Sequence, residues 1–178
     1  MDLFTILESR RYKPFTEVEA KYMFTQVCNA LHYCHTQNVV HFDIKLDNIM
    51  VNPKNGHITL IDFGLCDFIG ENGDNFTKHV GSEDYCPPEF FQPESFSGTK
   101  VDVWCLGVVL YALFTAKFPF DPEERKEALV VGLEHPEIEM DFACSEQARD
   151  LICKMLAIKP SERITMEEVL AHPWLSKK

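Results

Sequence analysis

Val101 to Phe114 is apolar nearly all the way round. A surface helix keeps one polar face, so a helix of this composition has to be covered by other elements on every side. It predicts the centre of a core, and the rest of the chain has to supply the cover. The 178 residues, 46% of them hydrophobic, are enough to do so within one compact domain. The same stretch contains Gly107 and is too short an apolar run to span a bilayer, and Met1-Asp2-Leu3-Phe4 lacks the basic flank and apolar run of a signal peptide.

Local patterns give the surrounding elements. Thr16-Glu17-Val18-Glu19 has the spacing of a capping box, and Ala20, Met23, Phe24, Val27, Leu31 and Cys34 follow at helical intervals, which predicts an amphipathic helix from about Glu17 to His35. Val39-Val40 and Ile49-Met50-Val51 read as short β runs. Asn52-Pro53-Lys54-Asn55-Gly56 is turn chemistry leading into Ile58-Thr59-Leu60-Ile61, so a small hairpin is expected. From Asp62 to about Gly98 periodicity disappears while Gly, Asp, Asn and Pro accumulate, the pattern of a long ordered loop or a disordered linker. Two more helices follow, one after Ser145 and one after Thr165-Met166-Glu167-Glu168, with Pro173 expected to stop the last. The expected architecture is a mostly helical unit carrying one β-hairpin and one long loop.

Charge and cysteine content narrow the partners. With 17 Lys and Arg against 28 Asp and Glu the net charge is −11, and the sequence pI is near 5.0. Phosphate backbones and anionic headgroups demand a basic face, so neither nucleic acid nor membrane is expected as a partner. An uncharged or basic protein substrate fits better. Seven cysteines, odd in number and without a C-x-x-C pair, point to a reducing compartment, cytoplasmic or nuclear, and to no zinc site.

Two short strings carry chemistry. His41-Phe42-Asp43-Ile44-Lys45-Leu46-Asp47-Asn48 stands between the first long helix and the hairpin, and Asp62-Phe63-Gly64 follows the hairpin. The first resembles the protein-kinase catalytic loop H-R-D-x-K-x-x-N and the second its D-F-G, in the family's order. Gly81-Ser82-Glu83-Asp84-Tyr85-Cys86-Pro87-Pro88-Glu89 resembles the end of the activation segment, with Pro-Pro-Glu in place of Ala-Pro-Glu. Asp102-Val103-Trp104-Cys105-Leu106-Gly107 resembles the helix that anchors the catalytic loop, and Arg163 with His172-Pro173-Trp174 resembles the family's last helix. Each string alone is more often a turn or surface loop; five of them in family order are not.

The resemblance implies an α+β, protein-kinase-like fold in which residues 1–178 form the C-terminal lobe only. It is closest in kind to Ser/Thr kinases of the calmodulin-dependent or AMP-activated type, acting on a protein Ser/Thr hydroxyl with ATP and Mg²⁺. Under it Asp43 accepts or orients the hydroxyl proton, Lys45 places positive charge near the γ-phosphoryl, and Asp62 and Asn48 hold Mg²⁺. Met50 forms the floor under adenine. Asp102 bonds the catalytic-loop backbone, His41 supports the loop, Ser82 bonds Asp43 and Lys45, and Glu89 pairs with Arg163. Asp47 resembles the acid that meets an upstream arginine in basophilic kinases, and is equally read as a solvated carboxylate.

There are departures from the family pattern. Phe42 stands where many kinases carry an Arg that reads an activation-loop phosphate, which predicts ordering independent of phosphorylation. Thr77 is the phosphoacceptor candidate there, with an ordinary loop threonine as the competing reading. Glu83 and Asp84 also depart from the commoner pattern. The larger departure is that nothing in the chain resembles the N-terminal lobe: it has no G-x-G-x-x-G, no V-A-I-K lysine and no helix bearing that lysine's glutamate partner. Asp2-Leu3-Phe4 looks like the segment just past the hinge. Weak nucleotide binding and little transfer are expected of this chain alone, with an N-lobe or regulatory partner in trans as one way to complete it. The alternatives are a truncated or pseudokinase-like lobe acting as a protein-binding module, and an incomplete product whose apolar upper surface promotes association.

Overall fold

In a computed structural model that describes residues 1–71, 73–92, 94–120 and 138–176, the chain runs α1 (Leu3–Ser9), α2 (Glu17–Thr36), β1 (Val39–Val40), β2 (Ile49–Val51), β3 (Ile58–Leu60), β4 (Asp67–Phe68), α3 (Gly98–Thr115), α4 (Glu146–Met155), α5 (Met166–Ala171) and α6 (Pro173–Ser176). Short 3-10 turns lie at Leu46–Asn48, Glu83–Tyr85 and Pro88–Phe91. Helices dominate and the strands are brief, as expected of the α+β class.

Helix α3 sits at the centre, and every residue from Val101 to Phe114 is buried. By length and composition it could cross a membrane, but here its apolar surface is covered by α2, α4, β1 and the turn Glu83–Tyr85. Gly107 makes the closest approach possible. A Cβ there would stand 2.9 Å from Met155 Cβ and from Leu156 Cδ2, so the side chains at the end of α4 lie directly against the α3 backbone. Helix α2 begins at the expected capping box, the Glu19 carboxylate accepting from Thr16 N at 2.7 Å while Thr16 Oγ1 accepts from Glu19 N at 3.3 Å. Its buried face is Ala20, Met23, Phe24, Val27, Cys28 and Leu31. Glu17, on the first turn of α2, accepts from Ser145 N at the start of α4 and from Trp174 Nε1 in α6, tying three helices at one carboxylate. Those hydrogen bonds outweigh the effect of its burial and hold the Glu17 carboxyl below its ordinary pKa.

The hairpin pairs β2 with β3 antiparallel, Ile49 opposite Leu60 and Val51 opposite Ile58. Its turn closes through Gly56 N to Asn52 O at 2.8 Å, with Gly56 at φ +68° and close under the Tyr22 ring. Val39–Val40 takes no part in this hairpin. It pairs with Asp67–Phe68 from the long loop, forming a second two-stranded sheet.

The segment after Asp62 is an ordered loop over its described residues. It is fastened by β4, by an antiparallel bridge between Phe76 and Phe96 with both hydrogen bonds at 2.9 Å, and by the two 3-10 turns near Tyr85 and Phe90. Two further points differ from expectation. Leu3–Ser9 is helical, capped by Asp2, whose Oδ1 accepts from Thr5 N at 2.7 Å. Pro173 opens the four-residue turn α6 after His172 has ended α5, as its fixed φ and missing N–H allow at a first helical position.

Candidate active site

The catalytic-loop string is held from beneath by Asp102. Its carboxylate, fully buried in α3, accepts from His41 N at 2.9 Å, from Phe42 N at 2.9 Å and from His35 Nε2 at 2.9 Å. Two successive backbone N–H groups can converge on one carboxylate only if the chain turns sharply, and Phe42 adopts φ +63° to do so. A left-handed aromatic residue is strained, and the bonds from Asp102 are what hold it there. His41 completes the support: its Nδ1 accepts from Asp43 N at 3.2 Å, so Nε2 is the nitrogen that donates to Ile61 O at 3.1 Å. Its ring meets Phe63 edge-on at 4.8 Å, linking the loop to the Asp62-Phe63-Gly64 turn.

Above this support the polar groups converge. Asp43 Oδ2 lies 2.8 Å from Lys45 Nζ and accepts from Asn48 Nδ2 at 2.9 Å, while Oδ1 accepts from Ser82 Oγ at 2.9 Å. Lys45 Nζ also donates to Ser82 Oγ at 2.9 Å, closing a triangle of Asp43, Lys45 and Ser82. Burial alone would push the Asp43 carboxyl up; the bonds from Lys45, Ser82 and Asn48 and the Lys45 charge outweigh it and hold its pKa below the ordinary value. Asp43 is therefore ionised at neutral pH, an acceptor able to orient a hydroxyl and a weak base until charge develops on it. Asn48 spends both amide protons on Asp43, on its carboxylate and on its carbonyl at 2.8 Å. That leaves the Asn48 carbonyl oxygen as a ligand. Asp62, at φ +61°, is exposed beyond the hairpin, one oxygen accepting from Gly64 N at 3.2 Å.

Among the described residues no group of three or more His, Cys, Asp or Glu side chains is disposed to hold a metal. Two oxygen donors, an amide carbonyl and a carboxylate, still suit Mg²⁺, which keeps several waters and takes one or two protein oxygens alongside substrate phosphates. The residues present thus fit a metal that arrives with a nucleotide. Met50 is half-buried on β2, across from Thr59 and bridged to Asp2, at the edge of the hairpin that carries Asn48 and Asp62 at its two ends.

The activation-segment end is anchored independently. Arg163, 1% exposed, makes a bidentate pair with Glu89 at 2.6 and 3.0 Å and spends its remaining donors on the carbonyls of Ala157, Lys100 and Ile158. Its guanidinium also lies 4.9 Å from the Trp104 ring centroid. Where an arginine would read a phosphate, Phe42 packs edge-on against Phe76 at 4.9 Å and Phe96 at 6.4 Å.

Four contributors escaped sequence reasoning. His35 is the third donor to Asp102, and Tyr85 Oη accepts from Leu46 N at 3.4 Å. Asp74 in the long loop accepts from Gly98 N at 2.8 Å and from Thr99 and Ser97, adding a carboxylate to the start of α3. Gly81, at φ +133°, has no room for a side chain because a Cβ would fall 2.7 Å from Phe42 O. A glycine next to Ser82 was the one available signal for these, and it was legible only as part of a motif.

The comparisons agree with this geometry. The protein kinase domain family matches residues 1–175. The probable serine/threonine-protein kinase MARK-A of Dictyostelium discoideum is 37% identical over 161 residues, covering 90% of this chain and 15% of that protein. The probable serine/threonine-protein kinase HSL1 of Saccharomyces cerevisiae is 36% identical over 176 residues, 99% of this chain and 11% of that protein. Sperm motility kinase 2B of Mus musculus is 38% identical over 161 residues, 90% of this chain and 33% of that protein. This chain therefore spans a third or less of the length of these relatives. With an aspartate-anchored loop carrying Asp43, Lys45 and Asn48, and with residues 1–175 matched, the chain is a member of the protein kinase domain family.

Proposed function

We propose that residues 1–178 are the C-terminal lobe of a serine/threonine protein kinase that transfers the γ-phosphoryl of ATP to a protein hydroxyl. The observation that carries the reading is the Asp43–Lys45–Ser82 triangle, with Asn48 bonded to its carboxylate. In this reading Asn48 and Asp62 hold Mg²⁺ and Met50 underlies adenine. Bound ATP and Mg²⁺ supply the phosphoryl group and offset its charge, which leaves positioning and electrostatics to the protein. Asp43 orients the acceptor hydroxyl and receives its proton as the new O–P bond forms and the bond to the leaving ADP oxygen breaks. Lys45 sits where it can share negative charge between Asp43 and the transferring group. Ser82 fixes both. A Ser82 hydroxyl bonding the Asp43–Lys45 pair resembles the serine/threonine branch, and the relatives' names agree. A cytoplasmic or nuclear location belongs to the proposal, supported by seven cysteines of which none is joined in a disulfide among the described residues.

One observation favours a second role for the same surface. Tyr33, Phe63 and Phe68 are exposed around a cavity of about 810 Å³ bounded by α2, β3 and the residues after Asp62. An apolar face of this kind calls for a protein partner, and in the kinase reading that partner is an N-terminal lobe, in cis or in trans. A lobe that only binds would use this face and ignore the triangle.

Transfer of ³²P from γ-labelled ATP to serine peptides by the protein purified from its source separates the two. Wild type is expected to label peptide, and Asp43→Asn and Asp62→Asn to lose at least a hundredfold of the rate. Full activity in either variant contradicts the assigned roles, and no labelling by wild type favours the binding module.

A further inference from the structure

We infer that Cys34 and Cys66 form a reversible disulfide site, closed by a hydroperoxide, that ties α2 to the turn bearing Asp62. The inference is independent of the phosphotransferase reading. Both cysteines are half-buried and line the cavity of about 810 Å³ beside α2 and β3. The backbone brings them together where α2 leads into β1. His35 Nε2 and His41 N bond the same oxygen of Asp102, each at 2.9 Å, so the last turn of α2, with Cys34 beside His35, lies against the start of the catalytic loop. From the other side β4 pairs antiparallel with β1, Val40 opposite Asp67. Carried one residue further, that register sets Cys66 opposite His41, and facing Cα atoms in such a ladder are about 4.5–5.5 Å apart. Cys66 and Phe68, two positions apart, both face the cavity.

The other five cysteines offer no such pair. Cys86 and Cys105 are each 2% exposed and Cys28 is fully buried, out of an oxidant's reach. Cys144 precedes the N-cap Ser145 of α4, whereas Cys153 lies about 12 Å along that helix from Ser145, too far for a disulfide. Burial first, then Asp102 and a charge on Cys66, hold the Cys34 thiol above its ordinary pKa, so Cys34 rests protonated and Cys66 is the sulfur oxidised first. With hydrogen peroxide, Cys66 takes one oxygen to become a sulfenic acid and water leaves. The Cys34 sulfur then displaces that oxygen: the S–S bond forms, the S–O bond breaks, and a second water carries off the thiol proton. Two electrons pass from the thiols to the peroxide. In a reducing compartment such a bond is transient, the usual form of a redox-sensing disulfide. Cys66 N donates to Phe63 O at 3.3 Å, so the bridge acts on the Asp62-Phe63-Gly64 turn. A lobe seated on the cavity would screen both sulfurs.

The test treats the folded, reduced 178-residue chain with a small excess of hydrogen peroxide, alkylates the remaining thiols and maps disulfides by mass spectrometry without reduction. The chain is expected to lose two hydrogens and to yield one bridge, with fragmentation placing it between Cys34 and Cys66, and dithiothreitol should restore both thiols. Amide signals of Phe63 and Gly64 should shift on oxidation and return on reduction. Cys34→Ser removes the resolving sulfur, so dimedone, which traps sulfenic acid, should label Cys66 in that variant and not in wild type. Mapping of the wild-type chain decides the inference whether or not the variant folds. Peroxide treatment that leaves Cys34 and Cys66 unjoined overturns it, as does a bridge at any other pair, a bridge between two chains, or a Cys66 sulfenic acid that accumulates equally in wild type and Cys34→Ser.

Discussion

Asp102 shows how much one side chain can determine. It satisfies two buried backbone N–H groups and one imidazole, and in doing so fixes the strained turn at Phe42 that aims Asp43 outward. Asp102→Ala strands the His41 and Phe42 N–H groups, each at a cost of about 1–3 kcal/mol. Urea unfolding is expected to show the summed loss, with the loop's amide protection falling further than that of α4. For Asp43 the sign of the pH dependence follows from its lowered pKa. A carboxylate that titrates lower in the folded protein than in the unfolded chain stabilises the fold above the unfolded value, and that contribution is lost as pH falls through the folded one. Carbon-detected titration of the Asp43 carboxyl should give a midpoint below 3.8, with no change of charge between pH 5 and 8. Asp43→Asn should flatten the acid limb of the stability curve. Asp43, Lys45 and Asn48 were assigned through the resemblance to one continuous family motif, since they lie within six positions of one another. Asp102, Ser82 and Arg163 were assigned through the family pattern, since nothing in their own neighbourhoods says what they meet.

At the scale of elements, α2 and α3 were readable from capping spacing and all-round apolarity, and α4 and α5 from their caps. What escaped was short or distant. Two-residue strands carry no period, so the pairing of β1 with β4 left no trace, and seven-residue α1 was hidden for the same reason. The activation segment is the consequential case. Asp74 caps α3 from 23 residues away, Phe76 bridges Phe96, and both Phe rings close on Phe42, which requires Gly98 because a Cβ there would meet the Phe42 and Phe76 rings at 2.9 and 2.8 Å. This apolar clamp fills the place where the family pattern has a phosphate-reading arginine, and the expectation of ordering without phosphate rests on it. Thr77 is exposed beside it and makes no bond to it. Thr77→Ala is therefore expected to leave both phosphoryl transfer and protease resistance of residues 70–96 unchanged. Phe42→Arg buries a charge among rings instead of creating a phosphate sensor, and should cost about 3 kcal/mol or more and open the segment to limited proteolysis. Protection that depends on phosphate at Thr77 would contradict the clamp.

Across the whole molecule the site is a meeting of elements pinned to α3 from two sides, the catalytic loop by Asp102 and the activation-segment end by the Glu89–Arg163 pair beside Trp104. Arg163 has no exposure through which to hydrate, so Glu89→Gln should destabilise the lobe by about 3–5 kcal/mol in calorimetry. In the proposed reading this scaffolding holds two ligand oxygens, on Asn48 and Asp62, for a Mg²⁺ that arrives with ATP beside the Asp43 carboxylate. Mn²⁺ in place of Mg²⁺ tests that placement directly, through paramagnetic broadening of the ¹⁵N-labelled 178-residue chain with and without ATP. Broadening is expected to centre on Asn48, Asp62 and Gly64, to reach Asp43, to require ATP, and to fall away in Asp62→Ala. Broadening that ignores ATP, or that centres on the acids at Glu83 and Asp84, would contradict the account.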